Sequence, residues 1–155
     1  PRLTFEEPVA ALDSDNFVDL PLVMSRPQDQ GQVHQKSGLN WGQREGRNHD
    51  QAYIPIPSTI AKAKFFPEKG IHFQVITDDG EAFICTVAQD NDKALETPSD
   101  NSIIGKYFRK RLGLPSGAFI EKEHLQAFGS NSVRIYRDSD DCYRLSFQPD
   151  RNLDL

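Results

Sequence analysis

Cysteine is scarce: the chain holds two, Cys85 and Cys142. They stand far apart and outside any Cys-x-x-Cys pattern, so neither a disulfide framework nor a zinc site is implied. Each alternates with apolar neighbours and reads as a small buried hydrophobe, which fits a reducing, cytoplasmic setting. Long apolar runs are missing too. No stretch approaches the ~20 residues of a membrane span, and no secretory signal is visible, so no membrane partner is expected. Met24 is the one methionine, and the sequence opens at Pro1. The expectation is therefore a piece of a longer or processed protein. No internal repeat is visible.

Catalytic signatures are also lacking. His34, His49, His72 and His124 form no His-Glu-x-x-His pattern and no pair at metal spacing. Asp138, Asp140 and Asp141 lack the Gly and Glu positions of a calcium loop and read as an acidic hairpin turn. There is no nucleophile elbow, phosphate-binding loop or dinucleotide glycine pattern. No metal, cofactor or small-molecule substrate is expected, and no enzymatic activity of this chain alone.

What is present is a domain-sized chain of 155 residues, enough to bury a core without staples. The net charge of −5 argues mildly against a nucleic-acid partner. Its distribution argues back. Residues 34–72 carry six Lys/Arg against three acids, and residues 102–122 carry five against one. Residues 1–33 and 138–155 hold the acidic excess. One basic face on a bipolar molecule is compatible with a DNA footprint.

The most informative stretch is GLNWGQREGRNHDQAYIPIP at 38–57, which holds the single tryptophan, Trp41. Asn40, Gln43, Arg44, Arg47, Asn48, Asp50 and Gln51 surround it. Gly38, Gly42 and Gly46 recur every fourth residue, which opposes a stable helix and permits close backbone approach. AYIPIP then resumes apolar alternation and reads as an edge strand, where proline is tolerated. Arg suits guanine edges, and Asn or Gln suits adenine. A long solvated loop is the plainer alternative.

Along the rest of the chain, Phe17 to Val23 suits either a strand or an irregular arm, and residues 1–37 are expected to be an extension or linker packed on the domain formed by 38–155. Residues 58–62 suit one turn of helix with Ser58 as N-cap. Phe73, Val75 and Thr77 alternate, Asp78-Asp79-Gly80 turns, and Phe83, Cys85 and Val87 return as the second strand of a hairpin. Residues 89–101 read as a polar loop. SIIGKYFRKRLG at 102–113 is the best helix, with Asp100 or Asn101 at its start and Gly113 at its end. Ile103, Ile104, Tyr107, Phe108 and Leu112 share its core face; Lys106, Arg109, Lys110 and Arg111 fall mostly on the others. GAFI at 117–120 suits a short strand, and Glu121 to Phe128 a second helix closed by Gly129. VRIYR and YRLSF form a last hairpin. The sum is a mainly β fold, about seven short strands and two flanking helices, in a closed or nearly closed barrel.

The pattern LNWGQR-x-GR-N-x-x-QAYI resembles the opening of the C-terminal recognition domain of NgoFVII-type restriction endonucleases. The resemblance continues through FFP at 65–67, VITDDG-x-x-F at 75–83, KALETPSDNSIIGKYFRKRLGL at 93–114 and YRLSF at 143–147. It implies a seven-stranded pseudobarrel like the plant B-three transcription-factor domain, gripping the major groove of duplex DNA with two polar arms, residues 38–51 and 89–101. It also implies a short G/C-rich site, and a phospholipase D-type nuclease domain elsewhere in the same polypeptide. That nuclease motif is His-x-Lys, four residues, then Asp. Here His34 and Lys36 fit its first half, but Trp41 stands where the Asp belongs and no second copy follows. Catalysis is therefore expected outside this chain.

In that picture Arg44 and Arg47 are candidates for guanine, and Asn40, Gln43, Asn48 and Gln51 for adenine or backbone. Asp50 is a candidate for cytosine or for holding an arginine. Lys93, Thr97, Asp100 and Asn101 are the polar candidates of the second arm. Lys36, Lys62, Lys64, Lys106 and Arg109 are candidates for phosphates, which fix register without reading sequence. Trp41 is expected to anchor the first arm, with stacking on sugar or thymine methyl as the alternative. Two rival functions stay open: a protein-interaction module with a basic face, and a fragment of a hydrolase.

Overall fold

A computed structural model describes residues 16–149. The expectations for residues 1–15, and for 150–155 at the end of the 38–155 domain, lie outside them. Seven strands form one sheet: β1 Phe17–Pro21, β2 Ile54–Pro55, β3 Phe73–Thr77, β4 Ala82–Ala88, β5 Ala94–Glu96, β6 Ser132–Ser139 and β7 Cys142–Ser146. Their order is β1-β6-β7-β3-β4-β5-β2. Every pair is antiparallel except β3 with β7. The sheet curls until β1 and β2 approach each other without pairing, so the barrel is nearly closed. Three helices flank it: α1 Ser58–Lys62, α2 Ser102–Leu112 and α3 Lys122–Phe128.

Period-two alternation sets the faces. Phe73, Val75 and Thr77 of β3 and Phe83, Cys85 and Val87 of β4 point inward and are buried. Burial pushes the Cys85 thiol up, as expected of a small hydrophobe rather than a reactive cysteine. Gly80 turns the hairpin with φ +88°. Helix α2 closes one side of the barrel. Ile104 and Phe108 are fully buried, Tyr107 nearly so, and the helix ends on left-handed Gly113. Each such side chain contributes roughly 1.5–3 kcal/mol by leaving water. Asp78, at the hairpin turn, joins three elements. It accepts from Tyr107 Oη at 2.9 Å, Arg111 Nη1 at 2.5 Å and the Phe147 backbone N–H at 2.8 Å.

Several local expectations need correction. The strand is the form that Phe17–Pro21 takes, pairing with β6 over five residues, with Leu20 in the core. The division at residues 37 and 38 thus does not coincide with an edge of the sheet. Residues 89–101 are not all loop: Ala94 and Leu95 are buried in β5, which pairs with both β4 and β2. GAFI is not a strand, because Ile120 bonds through its backbone to a side chain, Asn40, instead of to a neighbouring strand. So the strand count holds with one member exchanged. Pro57, not Ser58, occupies the N-cap of α1. At α2 the position is Asn101, but the capping bond comes from Asp100, whose Oδ1 accepts from Ser102 N at 2.9 Å. Arg109 and Arg111 leave the solvent face of α2: Arg109 is buried, and Arg111 is half-buried against Asp78 and Phe147.

Candidate nucleic-acid interface

The first arm is a loop whose ends meet. Gly38–Gln43 winds as a 3-10 turn, and Gly42 N then donates to Gln51 O at 2.8 Å. A Cβ on Gly42 would come within 2.2 Å of Asn48 O, so only glycine fits where the chain crosses itself. Asn48 Oδ1 accepts from Asp50 N at 2.9 Å and tightens the return.

Beneath the loop lies a frame of buried polar groups. Asn40 exchanges two hydrogen bonds with the Ile120 backbone, at 2.8 and 2.9 Å, and donates a third to His34 O. Asp50 accepts from Gly117 N at 2.7 Å and from Ser116 Oγ. Arg109 Nε lies 3.5 Å from Asp50 and donates to Ala118 O at 2.8 Å, while its Nη atoms reach Gly105 O and Leu39 O. Gln43 Nε2 donates to His49 O and Gly117 O, both at 3.1 Å. Helix α2 presses so close that a Cβ on Gly105 would lie 1.6 Å from Asp50 O. The arm is thus fastened to α2 and to the 113–120 loop by charge-assisted hydrogen bonds, which are about twice as strong as neutral ones.

Burial removes four candidates from the exposed surface, three of them in this frame and the fourth, Thr97, in the second arm. Asn40 and Thr97 are 0% exposed, Arg109 1% and Asp50 3%. None can reach a base edge or a phosphate from there, because each spends its polar atoms on the protein. Thr97 Oγ1 donates to Asp100 O at 2.6 Å. Gln43 is half-buried with its amide donor engaged, and so belongs to the frame as well.

Other candidates stay accessible. Arg44 and Asn48 are exposed, and Arg47, Gln51 and Trp41 are half-buried. Arg44 Nε donates to Lys36 O at 2.8 Å and Nη2 to Ser37 Oγ at 3.3 Å. Arg47 lies over Trp41, its Cζ 4.1 Å from the ring centre, and donates to Gln51 Oε1 at 2.6 Å. Trp41 meets the buried Tyr53 ring edge-on at 5.4 Å, which ties the arm to β2.

The second arm divides in two. Asp100 and Asn101 serve the start of α2: the bonds from Ser102 hold the Asp100 carboxyl below the usual carboxylate range. Asn101, with its amide nitrogen toward its acceptors, donates to Thr97 O at 2.9 Å and Glu96 Oε2 at 3.1 Å. The projecting part is the β4–β5 turn at 89–93, where Lys93 is exposed. Gln89, Asn91 and Asp92 take φ of +69°, +63° and +56° there, a region that side chains usually avoid. These turn residues were not singled out from the sequence; the run of short polar residues QDND between two apolar runs was the available signal. Lys36, Lys62, Lys64 and Lys106 are all exposed. Helix α1, with Lys62, packs against the second turn, and α2, with Lys106, against the first arm. Each arm therefore has a basic helix beside it.

The model of the NgoFVII C-terminal B3-like DNA-binding domain matches residues 18–139. The chain belongs to this family. Its partner is DNA, and the B3-like domain is a binding domain rather than a catalytic one. The match begins within β1. No curated protein matches the chain. Among solved structures, a hypothetical protein of Arabidopsis thaliana is similar at 13% identity and a TM-score of 0.36, over 67% of this chain and 83% of its own. Among the described residues, no three His, Cys, Asp or Glu side chains gather to hold a metal ion, and no helix is long and apolar enough to cross a membrane.

Proposed function

We propose that this B3-like domain is the target-recognition domain of a type II restriction endonuclease, reading a short G/C-rich duplex site in the major groove with its two arms. The observation that carries this reading is the build of the first arm. Exposed and half-exposed heads, Arg44, Arg47, Asn48 and Gln51, stand on a frame of buried hydrogen bonds. A recognition loop fixed before binding loses less conformational freedom when it docks. The groove is about 12 Å wide and admits such a loop. Arg44 and Arg47 suit guanine, Asn48 and Gln51 adenine, and Lys93 of the second arm a base acceptor. Lys36, Lys62, Lys64 and Lys106 suit phosphates on either side and set the register. The cutting domain belongs to another part of the same polypeptide.

The test is a mobility-shift titration of the purified chain on a randomised duplex pool, with retained molecules sequenced and a parallel assay for cleavage with and without magnesium. A short G/C-containing consensus and intact DNA are expected. Binding without any consensus would reduce the chain to a nonspecific cation, and cleavage by a nuclease-free preparation would move catalysis into it.

A further inference from the structure

Arg44 and Arg47 stand three residues apart on one arm, yet they are held differently. Arg44 is exposed and folds back, with Nε and Nη2 both engaged by Lys36 O and Ser37 Oγ. Arg47 lies flat over Trp41 at 4.1 Å, and only its Nη1 is bonded, to Gln51 Oε1 at 2.6 Å. Nε and Nη2 of Arg47 make no hydrogen bond to the described residues. Trp41 is in turn held edge-on by buried Tyr53. The Arg47 charge also reaches β5, where it partly offsets the burial that pushes the Glu96 carboxyl up. One face of the guanidinium is covered, one corner is fixed, and one edge of two donors is left over.

We propose that Arg47 is the guanine-reading side chain of the first arm, and that Trp41 and Gln51 are positioning residues that fix its plane, leaving the Nε–Nη2 edge for O6 and N7 of one guanine. This rests on the reading that the first arm enters the major groove. The reasoning is geometric. Bidentate recognition needs a planar fork, and a fork already stacked and tethered gives up little rotamer freedom on binding. Arg44 would first have to surrender two hydrogen bonds, so of the two guanine candidates Arg47 is the one whose bidentate edge is already free.

The experiment starts from duplexes retained by the wild-type chain from a randomised pool. A pool without a consensus overturns the recognition reading and this inference together. A consensus without guanine overturns this inference alone. Otherwise each guanine is replaced singly by 7-deazaguanine, which lacks the N7 acceptor. Affinities of wild type, Arg47→Ala, Arg44→Ala, Trp41→Leu and Trp41→Tyr are then measured at fixed salt. One guanine should matter to wild type and Arg44→Ala but not to Arg47→Ala. Arg47→Ala should weaken consensus binding about 5- to 150-fold and scrambled binding much less. Trp41→Leu should lose part of the same discrimination, Trp41→Tyr should restore most of it, and Trp41→Leu added to Arg47→Ala should cost no further discrimination. A 7-deazaguanine penalty equal in Arg47→Ala and wild type overturns the inference and leaves the recognition reading standing, as does its loss in Arg44→Ala instead. Should Trp41→Leu fail to fold, the comparison of Arg47→Ala with wild type on 7-deazaguanine decides alone.

Discussion

The two arms of this domain are built on opposite plans. The first is long and spends its central polar residues on itself: Asn40, Gln43 and Asp50 lock it to α2 and to the 113–120 loop. Gly42 sits where the arm's backbone crosses, and Gly105 of α2 where the helix comes against it. The second is the short β4–β5 turn, which has no such frame among the described residues and holds Gln89, Asn91 and Asp92 at positive φ without a glycine. One arm is held by many hydrogen bonds; the other carries local backbone strain. Strain of this kind collects at functional sites, where the surroundings hold it in place. On the proposed function, the first arm would arrive preformed and the second would adjust to the duplex.

Breaking the first frame should give the largest effect. Asp50→Ala leaves Arg109 charged and buried with no counter-ion and strips Gly117 N of its acceptor. Such a loss typically costs 3–5 kcal/mol, so the melting midpoint should fall by roughly 6–20 °C. A thermal melt within 2 °C of wild type would mean that the frame does not support the arm. Gly105→Ala comes next, because its methyl group cannot share space with Asp50 O. Overpacking of this kind costs about 1–3 kcal/mol, and consensus binding should weaken more than scrambled binding as the arm is pushed out. A melt and titration that match wild type would place the helix farther from the arm than described.

Lys106→Ala sharpens the comparison differently. It should leave the melt unchanged, weaken consensus and scrambled duplexes alike, and lower the salt slope by about 0.9 for one lost phosphate contact. Loss on the consensus alone would make it a base reader. The smallest effect belongs to the second turn. Gln89, at φ +69° and ψ 167°, lies in a region natural to glycine. Gln89→Gly should raise stability by up to about 1 kcal/mol, relief of strain being partly offset by the entropy of glycine. Destabilisation in a denaturant titration would show that the Gln89 side chain holds the turn.

Much of the fold was legible in the sequence. Alternation gave the β3–β4 and β6–β7 hairpins, and the left-handed glycines Gly113 and Gly129 closed the two long helices where expected. β5 was hidden because it is three residues long inside a polar stretch, too short for a period to register. GAFI deceived because apolar residues entering a core need not enter a sheet; Ile120 is buried through a bond to Asn40, eighty positions away. The candidate site was legible only as a set of residue types. The arm's place and its arginines could be read from residue type, but not which polar groups face inward. Burial of Arg109 depends on Asp50, far away in sequence, and no local pattern encodes that pair. The one clue was Gly105, which costs about 1 kcal/mol in a helix interior relative to alanine and so signals a close neighbour.

Methylation interference on a selected duplex tests the central claim most directly. N7 of guanine lies in the major groove and N3 of adenine in the minor groove, so the two modifications report the two faces separately. Entry of the arms into the major groove predicts that N7-methylguanine within the consensus blocks binding, while N3-methyladenine at adenines within or beside the consensus is tolerated. Interference confined to N3-methyladenine would put the domain in the minor groove and contradict the account.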